Sequence, residues 1–190
     1  VQNELTFSFT GWDSGDEALL RGWLEQAYPL AKALYGSPAF NLTVEVVRDP
    51  SITGLLGGVY VPAAHQMRMA PLTGNQQQDE FVAVQLMLHA FRDSLMLYYD
   101  AWEKGMVRAA AQVITKQMDP TFDPLYEPFY LVPLYDLLNQ EALANAVFAP
   151  QSEYQAMFPW RVGMAAGVWL KVLIEYPNFC RDFNSAYYAA

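Results

Sequence analysis

The sequence predicts an α+β fold in one domain over residues 1–190, strand-rich over 1–74 and helical over 75–190. Three observations carry that prediction. Short runs in which apolar and polar residues alternate are confined to the first part. From Asn75 onward apolar residues recur three and four apart, the spacing of a helical face. Apolar residues make up 53% of the chain and charged residues only 16%, enough to fill a core and too apolar for disorder.

The elements follow in order. Leu5 to Thr10 alternates and reads as a strand. Ser14 or Asp16 is placed to cap a helix that runs to about Tyr35 and stops at Gly36-Ser37-Pro38. Leu42 to Arg48, LTVEVVR, is a second strand closed by Asp49-Pro50. GLLGGVYVPAAHQMRMAP then reads as two short strands, near Gly58 to Val61 and Gln66 to Ala70. The Pro62-Ala63-Ala64 turn between them fits a hairpin or an edge strand beside a cleft. Residues 77–100 carry Phe81, Val84, Leu88, Phe91, Leu95 and Tyr98 as one apolar stripe. A further helix begins near Ala101 and passes through Met106, Val107, Ala110 and Ile114. Asp119-Pro120 and Asp123-Pro124 make a loop. Tyr130 to Tyr188 is helical, with breaks expected at Pro133, Pro150, Pro159 and Pro177.

Composition excludes several functions. A net charge of −9 without a basic patch argues against nucleic acid, whose backbone is bound by clustered Lys and Arg. The apolar stretches around Phe81 to Tyr99 and Val162 to Ile174 are interrupted by charges, so no membrane span is expected. A lone cysteine, Cys180, allows neither an internal disulfide nor a cysteine zinc site, and reads as a buried thiol. Acidic composition, few lysines and abundant Tyr and Trp suit an exported bacterial protein. Asn41-Leu42-Thr43 fits a glycosylation sequon.

The chemistry of the chain centres on VAVQLMLHAFRDSL, residues 82–95. At about 100° per residue, Gln85, His89 and Asp93 share one stripe. Residues four apart on a helix can grip one ion, which is why zinc peptidases use H-E-x-x-H: two histidines ligate zinc and the glutamate polarises the bound water. Gln85 to Asp93 resembles the HE-x-x-HAF-x-D form of that helix in gluzincin-type zinc metallopeptidases. The preceding Gly57-Gly58-Val59-Tyr60-Val61-Pro62 and Gln66-Met67-Arg68-Met69 resemble the strand pair that lines the substrate cleft of that fold. Trp102-Glu103-Lys104-Gly105-Met106-Val107-Arg108 resembles the element W-x-E-G-x-A, whose glutamate is the third zinc ligand. The resemblance spans roughly residues 40–115 and implies a small twisted sheet with an edge strand over active-site-type helices, then an all-helical C-terminal part.

Where the chain departs from the pattern, it departs at the chemistry. The first ligand position holds Gln85, the general-base position Leu86 and the third ligand position Lys104; His89 alone is retained. Leucine exchanges no proton, and a lysine sets positive charge where a dication should sit. The resemblance therefore implies a pseudopeptidase with no cofactor and no catalytic residue. Its cleft would take a peptide or protein partner by strand addition along Gln66 to Ala70, and Tyr60, Gln66, Arg68, His89, Asp93, Tyr98 and Tyr99 are its candidate binding residues. Two other readings compete with it. One is an active zinc hydrolase using His89, Asp93 and Glu103, with Tyr98 or Tyr99 stabilising the oxyanion. The other is a subunit of a larger assembly, its oligomeric state not set by the sequence. His65, the second histidine, lies in the turn before the last strand.

The remaining motifs are structural. Gly163, Ala165, Ala166 and Gly167 beside Trp160 and Trp169 predict a helix packed closely on another. Arg161 and Lys171 read as solvated or paired with Glu175. Asp119, Asp123 and Glu127 lack the spacing and glycine of a calcium loop.

Overall fold

A computed structural model describes residues 3–53, 57–92, 101–122 and 151–189. Four strands, β1 (Leu5–Thr10), β2 (Leu42–Arg48), β3 (Gly58–Val61) and β4 (Gln66–Met69), form one sheet in the order β1-β2-β4-β3. β1, β2 and β4 run parallel, and β3 lies antiparallel to β4 at the edge. Among the described residues five α-helices accompany them: α1 (Ser14–Tyr35), α2 (Gln76–Arg92), α3 (Ala101–Met118), α4 (Gln151–Glu175) and α5 (Phe179–Ala189). The chain is thus a mixed α and β protein with a small sheet, as the alternation and the helical stripes predict.

The period of two divides the sheet into a wet face and a dry one. Val44, Val46, Tyr60, Met67 and Met69 point inward and join a core completed by Leu20, Leu24, Ala27 and Ala31 of α1. The opposite face carries a polar ladder. Thr6 and Thr43 hydroxyls meet at 3.0 Å, Thr10 Oγ1 donates to Glu45 Oε1 at 2.5 Å, and Gln66 Nε2 donates to Glu45 Oε2 at 2.7 Å. Arg68 Nε continues it to Gln66 Oε1 at 2.9 Å. A largely parallel sheet is usually covered on both faces; here the uncovered side is written in Thr, Glu, Gln and Arg.

Local chemistry sets the helix ends. α1 is capped by Asp13, one residue before the expected Ser14; its carboxylate accepts from Gly15 N and Asp16 N, both at 2.9 Å. The helix ends on Gly36, at φ 92°, a conformation that suits glycine. α2 starts where the Asp79 carboxylate gathers Thr73 N, Thr73 Oγ1 and Gly74 N, pinning the incoming loop to its first turn.

Two expectations fail here. α4 runs unbroken through Pro159, although a mid-helix proline removes a hydrogen bond and costs about 3 kcal/mol. The downstream turns outweigh that loss, burying Val162, Ala165, Ala166, Trp169 and Leu173. Pro177 does separate α4 from α5; Pro133 and Pro150 lie outside the described residues. Strand order supplies the second correction. β4 is hydrogen-bonded to β2 on one side and β3 on the other, so no strand can add along Gln66 to Met69, and the sheet edges are β1 and β3.

The close helix pair that the small residues predict is formed by α3 and α4. A Cβ on Gly105 would stand 2.5 Å from Ala165 Cβ and 2.6 Å from Ala166 N. Backbone cannot retreat as a side chain can, so Gly105→Ala is expected to lose about 1–3 kcal/mol of stability in urea unfolding despite alanine's better helix propensity. An unchanged midpoint would contradict the contact.

Candidate functional site

α2 shows three faces to three partners. Phe91 packs on Tyr28 and Tyr35 of α1, with ring centroids 5.6 and 6.3 Å away. Leu86 and Val82 face β3. A Cβ on Gly58 would meet Leu86 Cδ1 at 2.6 Å and the Arg68 carbonyl oxygen at 2.9 Å; one on Gly57 would meet Val82 Cγ2 at 3.0 Å. The Leu86 side chain, only 2% exposed, therefore occupies the space under the edge strand, and glycine at 58 makes room for it. The third face carries Gln85 and His89, one turn apart, with Arg92 at the end of the helix.

His89 is 9% exposed, and its imidazole is pushed down to about 3 from an ordinary value of 6.5. Burial is the largest cause; the charges of Lys104, Arg108 and Arg92 follow. At neutral pH it is an uncharged ring among three cationic side chains. Burial and Arg108 also lower the Lys104 ammonium below the usual lysine range. Arg92 and Glu103 form a buried ion pair at 2.8 Å across α2 and α3. Lys104 and Arg108, four apart, thus bring their charge to bear on His89, while the neighbouring Glu103 carboxylate faces Arg92.

The structure brings some candidate residues together and separates others. Lys104 acts on His89 across α2 and α3, and half-buried Gln85 shares the His89 face of α2, whereas Leu86 turns to β3 on another face. Tyr60 is buried on the inner face of the sheet, whereas Gln66 and Arg68 sit in the outer ladder, so these three do not line one surface. His65, in the left-handed conformation at φ 49°, closes the end of the β3–β4 hairpin opposite Gly58. Asp93, Tyr98 and Tyr99 lie outside the described residues.

Arg92 and Arg108 were missed as site residues, although the sequence carried a signal. Arg108 stands in a run of Met106, Val107 and Ala109 to Ala111, four residues after half-buried Lys104, so its own charge is buried.

The other end of the α2–α3 pair holds a second buried carboxyl. Glu80 is buried with Oε1 lacking a hydrogen-bond partner; burial and then the Asp119 charge raise its carboxyl above the usual range. Asp119 itself shapes its loop, accepting from Thr121 N at 2.8 Å and Thr121 Oγ1 at 2.6 Å. Cys180 is buried and its thiol is pushed up to about 12, so it is protonated and unreactive. Lys171 pairs with Glu175 at 2.7 Å.

Among the described residues no three His, Cys, Asp or Glu side chains are grouped to hold a metal ion, and no helix is long and apolar enough to cross a membrane. Comparison with family models, with curated proteins and with solved structures finds no match to this chain.

Proposed function

We propose that this protein is metallopeptidase-like without zinc chemistry, and that it takes an extended peptide or protein segment along β3. The observation that carries the reading is the charge around His89. A catalytic zinc takes three protein donors, each neutral or anionic, and keeps a fourth position open. The residues here do not fit that ion: the two α3 groups acting on the retained imidazole are the cations Lys104 and Arg108. Glu103, the carboxylate of the rival hydrolase site, is bound to Arg92. At the place of the water-activating glutamate stands Leu86, packed against Gly58.

Recognition through β3 is supported by its position. It is a sheet edge, antiparallel to its neighbour, and Val59 is 47% exposed on it. An edge strand offers backbone donors and acceptors to an incoming strand, which supplies affinity without any reacting group. The partner's chemistry is therefore an extended backbone with alternate side chains reaching the two faces.

The test is to present a library of unfolded peptides with and without added zinc. Binding without cleavage is expected, lost when prolines replace alternate peptide residues and so remove backbone donors. Zinc-dependent cleavage abolished by His89→Ala would overturn the reading.

A further inference from the structure

We infer that the corner between α4 and α5 is a second recognition surface, one that takes an arginine-bearing peptide segment. Of the seven large hydrophobic side chains exposed among the described residues, four fall within ten positions of the chain: Ile174, Tyr176, Phe179 and Phe183. Ile174 and Tyr176 are 67% and 64% exposed. Scattered exposed apolar residues are ordinary, whereas a concentration of them marks contact with a partner.

These side chains are organised. Phe179 and Phe183 stack with centroids 5.9 Å apart and planes 10° apart, and Trp169 backs Phe179 at 5.5 Å. Phe179, Phe183 and Tyr176 border an open cavity of about 490 Å³. Among the described residues its charged lining consists of two carboxylates, Glu175 and Asp182, whose internal partners Lys171 and Arg181 stand outside the lining. Aromatic faces beside carboxylates are complementary to a cation with a flat, polarisable surface, and a guanidinium offers both that plane and a fork for a carboxylate. The molecule already makes this contact once: Arg92 lies over the Phe183 ring, 6.0 Å from its centroid.

Both carboxylates are available for exchange. Glu175 pairs with Lys171 and Asp182 with Arg181, each on an exposed surface. Such pairs contribute little to stability, so an incoming guanidinium displaces the internal partner at small cost. The site lies on α4 and α5, away from β3, and stands whether or not that edge binds peptide.

Calorimetric titration of the full chain with an end-blocked tetra-arginine peptide tests the assignment. Saturable binding is expected, weakened at least tenfold by Glu175→Gln with Asp182→Asn, and also by Tyr176→Ala. These residues are exposed, so the variants should fold. Asp16→Asn with Glu17→Gln on α1 removes the same net charge and should leave binding unchanged. Three results would each overturn the proposal: no saturable binding, equal binding of tetra-glutamate, or equal weakening by the α1 variant. Self-association dispersed by Tyr176→Ala would give the surface to a second copy and overturn it as well.

Discussion

Arg92→Met is expected to cost about 3–5 kcal/mol of folding stability. Arg92 and Glu103 are both buried and meet at 2.8 Å across the α2–α3 interface. Methionine fills much of the same volume, so the loss is chiefly electrostatic: the buried Glu103 carboxylate loses the guanidinium 2.8 Å away. The guanidinium also rests against Phe183 of α5, so the change loosens that helix as well. A domain has only about 5–15 kcal/mol to lose, and the melting temperature should fall on the order of 10 °C. The double variant Arg92→Met with Glu103→Leu should recover most of it, because a buried ion pair is often no better than an apolar pair of similar size. Failure of that rescue, or a single variant as stable as the parent, would show that the pair is not what joins the helices.

Acid should be nearly as damaging, and His89 should carry much of the effect. The folded imidazole titrates at about 3, while the unfolded chain takes up the proton near 6.5. Between those values the unfolded state binds more protons, so stability rises with pH across the window and is lost on acidification. The contribution is fully present above about 6.5. At about 1.4 kcal/mol per unit it reaches on the order of 5 kcal/mol by pH 3. Carboxylates also titrate there, so the informative quantity is the difference from His89→Gln. Parent and variant curves should run parallel above pH 7 and converge or cross below 6. Parallel curves down to pH 4 would mean that His89 is not held neutral by burial and by the cations of α2 and α3.

Most of the fold could be read from the chain because its local signals agree. β1, β2 and β3 begin and end where alternation and turn residues place them, and β4 stops one residue short of Ala70. What could not be read is tertiary. Strand order decides that β4 is interior, and nothing within QMRM distinguishes an interior strand from an edge. The four-residue connection from Pro62 to His65 pairs Val61 with Gln66, which inverts parity between the strands. Tyr60 therefore joins Met67 in the core and leaves Gln66 and Arg68 outside. Pro159 misled for a similar reason, since a local penalty was outweighed by packing on α3 that no short window contains. At the site, the residues that stand in the resembled pattern were legible position by position. That Arg92 and Arg108 bear on His89 was not, because it depends on how two helices meet.

Lys104 and Arg108 of α3 set positive charge on His89, and metal content tests what that charge excludes. Protein purified without chelator should carry no stoichiometric zinc, whereas Gln85→His with Lys104→Glu, which sets an imidazole and a carboxylate beside His89, should bind about one equivalent. One equivalent of zinc in the parent, lost on His89→Ala, would contradict the account.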